Sequence, residues 1–328
     1  MHSARPLSQT IENPELHRTQ FCDDVLKGLK FEPKYLESKY FYDAKGDELF
    51  QQIMASPEYY PTDCEMEIFR EQTGGLSKVI RDGSPFNLIE LGAGDATKSI
   101  HLLRKLLEDK AEFTYLPIDI SGHVIDLLHQ TLPLQLPGLK VEGLEGDYFD
   151  ALEKAEKYSD QRKVVLFLGS NIGNMPVPAA EAFCRQLREH LSPGDMVLMG
   201  FDLKKHPKIV LAAYNDAAGV TRQFNLNLLE RINREIDGNF NLDQFEHYPT
   251  YDPETGACKS YLISLADQQV HVCGETINFK KDEYIFMEVS QKYSAAETRA
   301  MAKQAGFKVT SEFYDTKGWF LDTIWEAL

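Results

Sequence analysis

The chain has 328 residues, enough for one large domain or two of ordinary size, and its 43% apolar content can build a sizeable core. A formal charge of -16, from 51 acidic against 35 basic residues, argues against a nucleic-acid or anionic-membrane surface and leaves a small molecule as the expected partner. The five cysteines (Cys22, Cys64, Cys184, Cys258 and Cys273) are widely spaced with no C-x-x-C pair, so buried thiols are expected rather than a disulfide framework or a metal site.

The N-terminal "MHSARPLSQTIENPEL" lacks the apolar core of a signal peptide, and no run approaches the length of a membrane helix, which predicts a cytoplasmic protein. From Asn87 to Gly200 short apolar runs alternate with amphipathic ones. "FNLIELG" reads as a buried strand, "ATKSIHLLRKLLED" as a helix, "FTYLPIDIS" as a strand and "HVIDLLHQTL" as a helix. The strand "KVVLFLGS", the helix "PAAEAFCRQLREHL" and the strand "DMVLMGFD" follow. This rhythm predicts an α/β fold with a parallel, Rossmann-like sheet whose ligands lie beyond the C-terminal strand ends.

After Asp202, "KIVLAAYNDAAGVTRQFNLNLLERINREI" reads as one long helical run, in which Tyr214, Ala218 and Thr221 fall on one face. Strand-like runs follow at "SYLISLAD", "QVHVCG" and "ETINF", then a helix at "SAAETRAMAKQAG". The closing strands "FKVTSEFYD" and "GWFLDTIWEAL" are placed to return to the first sheet. With no repeat or Pro-rich linker, a second domain is expected to be assembled from insertions into the first.

In "NLIELGAGDATK" the pair Gly92 and Gly94 allows a sharp turn close to a ligand. Thr97 stands where the dinucleotide fingerprint G-x-G-x-x-G has its third glycine, and the G-x-x-x-x-G-K-[ST] phosphate loop is absent. Asp119, some 25 residues past Gly94, suits the two hydroxyls of a ribose, although an Asp there also serves as a helix N-cap. With Glu90 at the first strand end and Asp147 at the third, beside Tyr148, three acids keep step with three strand ends. A carboxylate for an exocyclic amine and a ring for a base face suit an adenine.

This arrangement resembles the class I methyltransferases, whose S-adenosylmethionine cofactor carries a sulfonium charge and no phosphate. A dehydrogenase using NAD is the competing reading, weakened by the incomplete glycine fingerprint. Four further segments, "KYFYDAKGDELFQQIMASPEYYPTDCE", "LFLGSNIGN", "AAYNDAAGVTRQFNLNLLERINRE" and "FMEVSQKYS", resemble in order the histidine-specific methyltransferase family, whose best-known member methylates the α-amino group of L-histidine to give hercynine. The likeness extends from about Phe31 onward.

It implies a methyltransferase core at 61–202 and 285–328, with a substrate domain built from 1–60 and the insertion 203–284. It also implies that Asn174 and Tyr214 hold the substrate carboxylate, with Tyr42 and the Gly169 backbone near the α-amine. Tyr59, Glu288 and Ser290 would read the imidazole, and Phe50 would line the pocket; Ser260 falls where the family has a bulkier apolar residue. Gly92, Lys98, Asp119, Asp147 and Tyr148 would serve the cofactor, and no metal is implied. The chemistry is coherent, because a carboxylate accepts from an imidazole N–H and a hydroxyl serves the other nitrogen.

The expected reaction is repeated in-line methyl transfer to the neutral α-amine, yielding trimethylhistidine for ergothioneine biosynthesis, with Tyr42 or a bound water relaying the proton. The expected partner is L-histidine, not a nucleic acid or membrane, and the expected state is a monomer. A methyltransferase acting on another amino acid or an indole amine, and a non-enzymatic S-adenosylmethionine-binding protein, are the remaining alternatives.

Overall fold

Residues 14–328 are described by a computed structural model; the N-terminal segment that bears on a signal peptide lies, as far as residue 13, outside them. Strands β1 (Phe86–Leu91), β2 (Phe113–Asp119), β3 (Leu144–Glu145), β4 (Arg162–Phe167) and β5 (Met196–Asp202) come first. They are followed by β6 (Phe245–Tyr251), β7 (Ala257–Ser264), β8 (Gln268–Val272), β9 (Glu275–Phe279) and β10 (Tyr284–Gln291), and the chain closes with β11 (Phe307–Tyr314) and β12 (Phe320–Ala327). The chain divides into two compact units. One holds the residues up to Ser56, Tyr214–Thr250 and Lys259–Glu288, the other Pro57–Ala213, Tyr251–Cys258 and Val289–Leu328.

The second unit carries a seven-stranded sheet in the order β11-β12-β5-β4-β1-β2-β3. Strands β1 to β5 pair in parallel, and β12 pairs antiparallel with β5 and β11. The closing strands therefore do return to the first sheet, giving the expected Rossmann-like α/β architecture. Every residue of β1 is buried, as required of a central parallel strand covered on both faces. Alternate residues feed two cores, Ile89, Leu116, Val165 and Met199 to one face and Leu88, Tyr115, Leu166 and Leu198 to the other. Strand order reverses between β1 and β4, so their C-terminal ends flank the crevice where such sheets bind ligands.

The other unit has helices Pro14–Lys30, Ala44–Met54 and Val220–Glu235, with a β8-β9 hairpin and most of a three-stranded sheet, β10-β7-β6. Asp43 caps the Ala44–Met54 helix through the Gly46 N–H at 2.7 Å and accepts from Asn227 Nδ2 at 2.9 Å, tying the second and third of these helices together. Cys22 and Cys273 form a disulfide between residues 251 apart in sequence, correcting the expectation that all five cysteines are thiols. Cys64, Cys184 and Cys258 are buried thiols, as expected.

The long helical run predicted over 208–236 is broken. One helix covers Pro207–Ala213 and the next Val220–Glu235, so Tyr214, Ala218 and Thr221 do not share a helical face. Gly219 adopts φ 73°, and the buried Asp216 carboxylate accepts from the N–H groups of Val220 and Thr221, both at 2.8 Å. These amides are among the orphan donors of a helix start, and a short acid satisfies them as well as another turn of helix would. Replacing Asp216 with Ala should lower unfolding free energy by about 1–2 kcal/mol. Asn at this position, which keeps one acceptor oxygen, should recover part of that loss in urea denaturation.

Candidate active site

The glycine loop grows out of β1. The N–H groups of Gly92 and Ala93 donate to the Ile118 carbonyl at 2.8 and 3.2 Å, extending the β1–β2 pairing past the strand end. Gly92 has φ 72°, and a Cβ on it would lie 3.0 Å from the Tyr148 hydroxyl. Glycine is therefore required both by conformation and by the nearness of that ring. Asp119 accepts from Gly94 N–H at 3.2 Å with one oxygen and from Ser121 N–H at 3.0 Å with the other, so its carboxylate orients the loop. Ser121, not Asp119, caps the helix Gly122–Gln135.

Asp147 lies past the short β3 and caps the helix Tyr148–Tyr158, accepting from Phe149 N–H at 3.1 Å. Tyr148 is half-buried; burial first, then Asp119 and Asp147, push its phenol up to about 12. Gly92, Asp119, Asp147 and Tyr148 thus gather beyond the ends of β1, β2 and β3. Glu90 behaves differently from the other two acids. It is buried within β1, accepts from Tyr115 OH at 2.5 Å, and burial pushes its carboxyl up to about 7.

Lys98 is partly buried and paired with Glu65, a fully buried residue of the Tyr60–Glu71 helix that the sequence reading did not single out. Burial works against the Lys98 ammonium, but the Glu65 carboxylate outweighs it and raises its pKa. Glu65 also accepts the Gly169 N–H at 2.8 Å, at the end of β4. Any ligand contact by the Gly169 backbone therefore falls to its carbonyl. On the far side of Glu65 lies Asp322 of β12, whose carboxyl is held well above the usual range by burial and then by Glu65. A Cβ on Gly200 would come within 2.5 Å of Glu65 Oε1, so β5 has glycine where these acids need room.

The residues assigned to substrate are spread over both units. In the first, Tyr42 and Phe50 meet edge to face at 5.6 Å, and both rings pack on Phe224, which the sequence reading did not identify. Tyr42 is 46% exposed. Tyr214 lies in the break before the Val220–Glu235 helix, and Glu288 on β10 accepts from Ser260 Oγ at 3.2 Å. In the second, Tyr59 precedes the Tyr60–Glu71 helix, and exposed Asn174 ends a 3-10 turn beyond β4, four residues after Ser170 at φ 56°. Ser290 is buried on β10 and accepts from the Lys292 ammonium at 2.8 Å.

Buried carboxylates, a lysine already neutralised by one of them and glycines with open backbone fit a ligand that is cationic and lacks phosphate. They do not make a phosphate clamp, which needs free basic groups or a run of convergent amides. Among the described residues no cluster of His, Cys, Asp and Glu can hold a metal ion, and no helix is long and apolar enough to cross a membrane.

Comparison with known proteins bears on this geometry. The family described as "Histidine-specific methyltransferase, SAM-dependent" matches residues 21–327. The chain is 35% identical over 300 residues to the histidine N-alpha-methyltransferase of Mycolicibacterium smegmatis, covering 90% of this chain and 92% of that protein. It is 34% identical over 300 residues to the protein of the same name from Mycobacterium tuberculosis, with the same coverage of both chains. A 30% identical match over 290 residues is to ergothioneine biosynthesis protein 1 of Neurospora crassa, covering 86% of this chain and 32% of that protein.

Glu90 supplies a test of the buried-acid arrangement. A carboxyl whose pKa is raised by folding stabilises the protein below the unfolded value of about 4.5, and that contribution is lost as pH rises through about 7. Glu90→Gln stays neutral throughout. The melting temperature of this variant relative to wild type should therefore climb between pH 5 and pH 8, read by calorimetry at matched ionic strength.

Proposed function

The chain belongs to the S-adenosylmethionine-dependent, histidine-specific methyltransferase family, and we propose that it converts L-histidine to hercynine by three successive methyl transfers to the α-amine. The observation that carries this reading is the match over residues 21–327, joined to a glycine loop whose lysine is already neutralised by Glu65. The cofactor, when bound, supplies an electrophilic methyl on a sulfonium sulfur. Gly92 and Gly94 would admit it to the end of β1, Asp119 would receive the ribose hydroxyls, and Asp147 and Tyr148 would take the adenine.

On the acceptor side, Asn174 and Tyr214 would hold the carboxylate, and the Gly169 carbonyl, its N–H already bound by Glu65, would face the amine. Tyr59, Glu288 and Ser290 would read the imidazole ring. Burying polar partners for both ring nitrogens rejects an apolar side chain, which would leave them unsatisfied.

Alignment is the chain's main contribution, since holding amine and methyl in line removes several kcal/mol of entropic barrier. Each transfer needs the amine free of its extra proton, and Tyr42, half-exposed to water, is the group we assign to pass that proton on. Aromatic faces on Tyr42, Phe50 and Phe224 suit the ammonium that grows with each methyl. The neighbouring reading, methylation of another amino acid or an indole amine, places no demand on Glu288.

The test is to incubate the purified protein with S-adenosylmethionine and each amino acid in turn, and to follow products by mass spectrometry. Histidine should gain three methyl groups, and Glu288→Ala should raise the histidine KM at least tenfold. Failure to methylate histidine would overturn the reading, and full activity in Glu288→Ala would overturn the ring assignment.

A further inference from the structure

Asp322 lies on β12, and nothing in the reaction as described uses it. In the antiparallel ladders it stands opposite Gly200 of β5 on one side and Phe313 of β11 on the other, neither of which has a polar side chain. It is fully buried, and among the described residues neither of its side-chain oxygens receives a hydrogen bond. An ionised carboxylate there would be a buried charge with no donor on it, which a protein interior avoids by neutralising the group.

The charged groups that face it are Glu65 of the Tyr60–Glu71 helix and Lys98 of the glycine loop. A Cβ on Gly200 would come within 2.5 Å of Glu65 Oε1 and 3.1 Å of Asp322 Oδ1, so the two carboxyls close over one glycine. Lys98 is ion-paired with Glu65, and one ammonium thus stands against two acids. Two carboxyls so placed, with a single countercharge, hold a proton between them. Glu65 is the one that ionises, because it accepts from Lys98 and, at 2.8 Å, from the Gly169 N–H, whereas Asp322 accepts from no described group. The proton therefore sits on Asp322, and Glu65, with two lone pairs on each oxygen, is its acceptor. Burial and then the Glu65 charge act in that same direction, holding the Asp322 carboxyl well above the usual carboxylate range.

We infer that Asp322 is a positioning residue that keeps its proton and donates it to Glu65, fixing the carboxylate that holds Lys98 and the Gly169 N–H for the cofactor. The Lys98 ammonium lies 3.4 Å from where a Cβ on Gly169 would stand, at the end of β4 and so at the crevice where the sheet takes its ligand. With Asp322 as a third donor beside Lys98 and Gly169, Glu65 has one orientation that satisfies all of them. An ionised Asp322 would instead repel Glu65 and compete with it for Lys98. What β12 contributes is a hydrogen, not a charge. The inference rests on the S-adenosylmethionine reading above, and extends it to a strand residue that touches no ligand in that reading.

Two measurements test it. Infrared spectra of ligand-free wild type and Asp322→Asn at pH 7 should differ by the C=O stretch of a protonated carboxylic acid, present in wild type and absent from the variant. Loss of ionised-carboxylate bands in its place would overturn the inference. Separately, S-adenosylhomocysteine affinity is read by calorimetric titration. Asp322→Asn, whose amide can still donate to Glu65, should bind within about twofold of wild type, and Asp322→Leu, which has no donor, about tenfold more weakly, the size of one hydrogen bond.

An Asn variant that binds as weakly as the Leu variant, or a folded Leu variant that melts lower but binds as tightly as wild type, would show a structural role only and overturn the inference. If Asp322→Leu does not fold, the infrared difference and the Asn affinity decide. A wild type that binds S-adenosylhomocysteine but lacks the acid band removes this inference and leaves the cofactor reading standing. A wild type that binds no S-adenosylhomocysteine removes both.

Discussion

The carboxylate of Glu65 is the contact on which the rest of the donor side depends. It is fully buried on a helix outside the sheet, yet it pairs with Lys98 of the glycine loop, accepts the Gly169 N–H beyond β4, crowds Gly200 of β5 and lies beside Asp322 of β12. One side chain thereby joins three strands and the glycine loop. A buried carboxylate is tolerated only when its oxygens are satisfied, and here a cation and a backbone amide satisfy them. The result is a loop whose lysine is internally neutralised, set among acids, and therefore unsuited to phosphate and suited to a sulfonium.

The same economy of charge governs the C-terminal end of β5. Asp202 gathers two lysines and a tyrosine at the end of β5, and one of those lysines reaches Ser290. Burial raises the carboxyls of Glu90 and Asp322 and lowers the pKa of the Lys205 ammonium. Parallel strands that bury both faces leave their termini as the place where polar groups converge, and the reversal of order between β1 and β4 opens the space they surround.

Strands β1, β2, β4 and β5 were legible in the sequence because they are largely buried and read as mostly apolar runs between glycines and amphipathic helices. The acids at 119 and 147 were legible because one closes a strand and the other follows one. Glu65, Asp202 and Phe224 were not, since each has partners far away in sequence, as with Glu65 and Gly169, 104 positions apart. The Cys22–Cys273 bond escaped for the same reason. The helix break at Tyr214 had a local signal in "NDAAG", an acid three residues before a glycine, but the apolar periodicity on either side masked it.

The measurement that bears most directly on this account is calorimetric titration of wild type and Glu65→Gln with S-adenosylhomocysteine and, separately, with NAD. The account predicts that wild type binds S-adenosylhomocysteine and not NAD, and that Glu65→Gln, which leaves Lys98 without its countercharge, binds S-adenosylhomocysteine about tenfold or more weakly. Binding of NAD by wild type, or unchanged S-adenosylhomocysteine affinity in a folded Glu65→Gln, would contradict it.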